Sequence, residues 1–187
     1  MNRIKQIIPY LDQAVVSGGN FLLGVFLARV LGLEHYGEYA LAWLVVLFCS
    51  SIHHAWIINP MYTFYPKYDA DKKSEYLKSL FVHQLIYSCV ASFVSYVVFC
   101  LSNIYFLEWK MGRFINILPI LIFIYLMYDF FRRVSYVQKK RTKALFMNLL
   151  IYLVQFIAFT YVYIQNKVYL YDVYLICLLY TSDAADD

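Results

Sequence analysis

Asp129, Arg132 and Arg133 form the only cluster in this chain where a carboxylate and guanidinium groups stand together beside a long apolar run. Their spacing of three and four residues places them one helical turn apart, the geometry of an ion pair. Arg132 or Arg133 has a second possible use, because a guanidinium fork matches a phosphate or pyrophosphate. No nucleophile–base pair accompanies the cluster, so no catalytic residue and no enzymatic activity are expected. His53, His54 and His83 lie in apolar segments. A histidine there can relay a proton or hold a metal. Those two segments contain no carboxylate, and no spacing offers three or four ligands. Satisfied interior histidines, with no metal and no cofactor, are therefore expected. Cys49, Cys89, Cys100 and Cys177 show no CxxC spacing and read as small hydrophobes.

The elements that must position these groups are membrane helices. Apolar residues make up 63% of the 187-residue chain and charged ones 15%, far from the roughly 45–50% and 25% of a soluble domain. Within Leu11–Ala40 the run Ala14–Leu33 holds a single ionisable residue, Arg29, over a length of about 20 residues that crosses a bilayer. Gln13, Ser17, Asn20, Gly24 and Ala28 recur on one sector of that helix, roughly 80° wide. A lipid-facing surface gains nothing from such groups, so the stripe should face protein or water. Gln84, Ser88, Ala91 and Ser95 repeat the pattern in a third span, and Asn148, Tyr152 and Gln155 in a fifth. Either interhelical packing or a shared hydrophilic cavity accounts for the stripes. The cavity candidates are Ser17, Asn20, Gln84, Ser88, Asn148 and Gln155. Arg29 sits off the stripe near a helix end, where it can snorkel, and a structural pairing with Glu34 or Glu38 is expected.

The spans read as Ala14–Leu33, Tyr39–Pro60, Leu77–Leu101, Phe114–Phe131 and Ala144–Ile164, with a sixth starting near Val168 and stopping short. The fold class is thus an all-α polytopic membrane protein with five complete transmembrane helices and a truncated sixth. A short link at Glu34–Glu38, turned by Gly32 and Gly37, pairs the first two spans antiparallel. Pro119 is expected to kink the fourth. Twelve of the 16 Lys and Arg fall on one side of this arrangement, which places the N-terminus in the cytoplasm. The basic run Arg132–Lys143 between two spans is a topology determinant resting on anionic lipid headgroups, not a nucleic-acid site. The many tyrosines, 20 in all, suit interfacial anchoring. The segment 178–187, LLYTSDAADD, is small and acidic and reads as a tail foreign to the natural protein, leaving 1–177 as the transmembrane region.

The opening stretch, with its Asp-Gln-Ala start, SGxNFLLG core, LARVLG, the Tyr36–Gly37 pair and Ala42–Trp43, resembles the N-terminus of bacterial polysaccharide flippases. Asp129-Phe-Phe-Arg-Arg-Val-Ser-Tyr-Val-Gln is similar to the end of that family's fourth helix. These flippases belong to the superfamily that includes the multidrug and toxin extrusion transporters. The resemblance implies most of the N-terminal lobe of a transporter with twelve to fourteen helices, its C-terminal lobe being outside this chain. It implies a multi-pass protein of the bacterial inner membrane. Its task would be to carry a lipid-linked oligosaccharide, a polyprenyl pyrophosphate glycan, from the cytoplasmic to the periplasmic leaflet by alternating access. Membrane lipids and a glycan polymerase would be its partners. A sugar–pyrophosphate head cannot cross hydrocarbon without replacement for its lost water, and a cationic cavity supplies it. Rival readings are a drug or cation antiporter of the same superfamily, a membrane-embedded glycan polymerase or acyltransferase, and a purely structural membrane subunit. The antiporter would want acidic residues in mid-span, and the five spans place none away from their ends.

Overall fold

The computed structural model describes residues 3–105 and 117–140, with scattered positions between 142 and 160. Almost every described residue is helical and none is in a strand. The order is α1 (Arg3–His53), a π-helical turn (His54–Ile58), α2 (Asn59–Phe64), a 3-10 turn (Tyr65–Lys67), α3 (Ala70–Tyr105) and α4 (Leu118–Val137). Three segments are long and apolar enough to cross a membrane: Gln13–Val30, His35–Lys67 and Asp71–Leu101. Helix α4 has the length, about 30 Å for 20 residues. It carries three buried charged residues, Asp129, Arg132 and Arg133, and so falls outside the three. The expected fifth span is helical at its described positions, whereas the sixth and the segment 178–187 lie outside the described residues.

The chain divides into two compact units, Met1–Tyr39 with Gln138–Asp187, and Ala40–Val137. In the first unit, helix α1 is broken at Gly32, whose φ of 74° and ψ of 171° are not helical. Two residues twelve apart in a straight helix are separated by about 18 Å. Yet a methyl group built on Gly24 would lie 3.8 Å from the Tyr36 hydroxyl, so the chain folds back across Gly32. The reversal is sharper than the short link read from the sequence. One residue makes it, and the link residues around Gly37 are themselves helical. That combination of φ and ψ is essentially open to glycine alone. A Cβ at Gly32 would touch nothing within 4 Å, so the cost of adding one is conformational. Gly32→Ala is expected to lower stability by about 1–3 kcal/mol, read as an earlier thermal transition of the detergent-solubilised protein; an unchanged transition would contradict the reversal.

In the second unit the usual distribution of polarity is inverted. Along α3, Gln84, Ser88, Ala91 and Ser95 are buried, while Val82, Ile86, Val90, Phe93, Val98 and Leu101 are exposed. Along α1, Leu41, Leu44, Phe48 and Ile52 form a similar exposed apolar row, with Val46, Cys49, Ser50 and His53 behind it. An apolar exterior of this extent is compatible with a lipid-facing surface. The interior of the unit is closed by Ile57, Ile58, Met61, Leu80 and Phe130, with Phe81, Tyr76 and Val134 packed around them. Trp43 meets Tyr125 edge to face, 5.6 Å between centroids.

Two details differ from the sequence reading. The connection before α3 is only residues 68–69, so Lys72 and Lys73 belong to the first turn of α3 rather than to a loop. Lys67 and Lys73 lie over the rings of Phe64 and Tyr65. Pro119 does not kink α4. It is the second residue of that helix, where a missing N–H has no intrahelical partner to lose.

Candidate functional site

The proline that does shape the second unit is Pro60. In an α-helix its ring would meet the carbonyl of Trp56, four residues back. Ahead of it the chain widens into the π-helical turn, and the N–H of Asn59 donates to the carbonyl of His54, five residues back. Such turns recur where a helix must re-aim side chains. Here the turn begins at a pair of adjacent histidines, His53 and His54, with ring centroids 5.8 Å apart. Both reach one carboxylate on α4.

That carboxylate is Asp129, 2% exposed. His54 Nε2 donates to Asp129 Oδ2 at 2.8 Å. His53 Nδ1 stands 3.5 Å from the same oxygen. Arg133 Nε donates to the other oxygen, Oδ1, at 3.2 Å. The Asp129–Arg133 pair is the i, i+4 contact that the spacing predicts. Arg132 is buried one residue earlier, its guanidinium 5.5 Å from the Tyr136 ring centre.

A hydrogen-bond relay fixes the other side of His53. The Gln84 amide nitrogen donates to Ser88 Oγ and to the Leu126 carbonyl, both at 3.0 Å. Both amide protons are thereby used, and the amide oxygen is left to accept from His53 Nε2. A ring nitrogen that donates carries its proton, so this relay sets the tautomer of a neutral His53. Its Nδ1 then presents a lone pair. That nitrogen is buried and has no hydrogen-bond partner. Tyr87 stacks on the His53 ring at 5.8 Å and donates its hydroxyl proton to the Cys49 carbonyl. Ser95 extends the polar line, donating to the Ala91 carbonyl at 2.7 Å, with Cys49 Sγ 3.9 Å away.

The cluster differs from the sequence reading in one respect that matters. The histidines do have a carboxylate partner, and it comes from α4 rather than from their own helix. Asp129 therefore stands with two imidazoles as well as with Arg133. His83 differs too: it is exposed, its Nδ1 donating to the Ser79 carbonyl at 2.8 Å.

The other candidate residues are placed as follows. Gln84 and Ser88 are fully buried; Gln84 bonds Ser88 on its own helix, the Leu126 carbonyl of α4 and His53, so neither residue lines an open cavity here. In the first unit the packed face of α1 runs through Gly19, Leu23 and Leu27. Asn20, Gly24 and Ala28 are half-buried along its edge, and Ser17 and Gln13 are exposed. Asn148 is buried at 2% exposure. Gln155 lies outside the described residues. Arg29 is exposed, and the Glu38 carboxylate offered to it accepts instead from His35 Nδ1 at 3.3 Å. The side chain of Glu34 lies outside the described set.

A buried carboxylate, two imidazoles and an arginine can hold a proton, a cation or, through the guanidinium, an anion. Comparison of the chain with protein-family models, with curated proteins and with solved structures returns no match.

Proposed function

We propose that the chain is most of one lobe of a membrane transporter that moves a lipid-linked oligosaccharide from the cytoplasmic to the periplasmic leaflet of a bacterial inner membrane. The observation that carries the reading is the buried triad of α4. Arg132 and Arg133 are both buried inside a unit with an apolar exterior, and Arg133 engages the Asp129 carboxylate. Guanidinium groups enclosed by a unit with an apolar exterior point to a route for charged or polar ligands. A guanidinium is the side chain best shaped to bind an anionic group such as a pyrophosphate. The motif around the triad and the opening stretch of the chain both resemble polysaccharide flippases, which move such a headgroup. A cation antiporter of the same superfamily is the second reading. It draws on Asp129 as a buried acid, but Arg133 already engages that carboxylate.

The full-length gene is expected to restore surface polysaccharide to a host lacking its own flippase. Protein that reaches the membrane while glycan stays on the cytoplasmic leaflet would overturn the reading. In the same assay Arg132→Gln is expected to cut export by about tenfold or more, the worth of one charge-assisted contact. The membrane level of the protein is the control. Full export by Arg132→Gln would remove that residue from the headgroup route.

A further inference from the structure

We propose that His53, His54 and Asp129 form a binding site for one divalent transition metal, with Zn2+ as the natural fit. The site does not depend on the transport reading. Its ligand atoms, one from each residue, lie within 4.8 Å of one another. Two imidazole nitrogens and a carboxylate oxygen make a donor set suited to zinc rather than to calcium or magnesium, which prefer oxygen alone.

The decisive atom is His53 Nδ1. It is fully enclosed and makes no hydrogen bond, and in the neutral ring that Gln84 selects its lone pair faces a carboxylate oxygen 3.5 Å away. Two electron-rich atoms facing each other in a buried site repel unless a proton or a metal ion lies between them, and a second imidazole on the same oxygen favours the metal. Bonds of 2.0–2.1 Å in a tetrahedral zinc site put adjacent ligand atoms about 3.3 Å apart. The His53–Asp129 separation is already close to that. His54 Nε2, at 2.8 Å from Asp129 Oδ2, must draw back by about 0.5 Å to share the ion. On binding, the His54 proton moves to its Nδ1, and its hydrogen bond to Asp129 is replaced by two bonds to the metal.

The surrounding partners are those a metal site requires. A ligating histidine donates its other ring N–H to an oxygen that fixes its orientation; for His53 that oxygen is Gln84 Oε1, itself held by the contacts to Ser88 and Leu126. A ligating carboxylate is oriented by a donor on its second oxygen; for Asp129 that donor is Arg133 Nε. The π-helical turn supplies the remaining condition, since it lets two successive residues of one helix face the same carboxylate. Three protein ligands leave a fourth position open on the His54 side, where the ring is 15% exposed.

The test is titration of the full chain in lipid nanodiscs with Zn2+ by calorimetry, and with Co2+ by its visible absorption. One equivalent of saturable binding is expected. His53→Gln and His54→Gln should each weaken it more than tenfold while leaving the far-ultraviolet circular dichroism of the chain unchanged. His83→Ala, a change at an exposed histidine outside the cluster, should bind like the parent. A helical, monodisperse parent chain that binds neither ion would overturn the site and leave the cluster to a proton. Binding that survives both histidine substitutions would overturn it equally.

Discussion

Asp129→Asn is expected to lower the stability of the detergent-solubilised chain by about 3–5 kcal/mol, the range for removing one partner of a buried ion pair. Asparagine is nearly isosteric, so no cavity forms and packing is not the cause. What goes is the charge. His54 Nε2 and Arg133 Nε both donate to this carboxylate, and His53 faces it at 3.5 Å. With a neutral amide in its place, the positive charge of Arg133 loses the carboxylate it engages. The amide also offers one oxygen where the carboxylate offered two, so His54 and Arg133 must compete for it. The measurement is the thermal transition followed by circular dichroism, with protease resistance as a second probe. Asp71→Asn, at an exposed carboxylate in the first turn of α3, is the comparison and should shift the transition far less, since surface substitutions fall mostly within about 0.5 kcal/mol. Equal shifts in the two variants would mean that the cluster contributes no more than a surface charge.

Much of this architecture is legible in the sequence because long apolar helices announce themselves by length and by where their polar residues recur. The stripe Gln84–Ser88–Ala91–Ser95 has helical spacing, and the structure buries all four on one face of α3. Gly32 is recognisable as a turning point because no other residue has its range of backbone angles. The Asp129–Arg133 contact follows from spacing along one helix, which sequence carries directly.

What the sequence does not carry is which helix a side chain meets. His53 and His54 have no acidic neighbour in their own span, and the reading of them as isolated follows from looking along the chain. Asp129, 75 residues from His54, reaches them only when α4 packs against the end of α1. One local signal was available. Pro60 closely follows a His-His pair inside an apolar run, and a proline within a helix forces a wide or kinked turn just before it. The kink expected at Pro119 is absent for a related reason. A proline near the start of a helix is harmless, but without the helix boundary its position cannot be distinguished from an interior one. The same limit applies to the cavity assignment for Gln84. Helical spacing says that the residue faces inward, and only packing says whether inward means water or another side chain.

That last distinction has a measurable consequence. If Gln84 serves to hold His53 rather than to wet a crevice, the two residues must be energetically coupled. Gln84→Leu strands the His53 Nε2 proton and the Ser88 hydroxyl in a dry interior, at about 1–3 kcal/mol for each unsatisfied group. His53→Leu strands the Gln84 oxygen in turn. The double replacement leaves neither partner seeking the other, and replacing both members of a buried hydrogen bond by apolar groups of similar shape is close to neutral. The double variant is therefore expected to lose less stability than the two single variants together, by about 1–3 kcal/mol, well outside the few tenths expected of independent sites. Strict additivity would break the relay. A residue bathed by an aqueous crevice would give that additive result, because water would satisfy either stranded group, so the cycle separates the packed role from the wet one. It also bears on the histidine's free nitrogen. Only while Gln84 Oε1 accepts from Nε2 does a neutral His53 keep its Nδ1 lone pair turned to Asp129. The coupling energy thus measures how firmly the fold commits that lone pair to a cation.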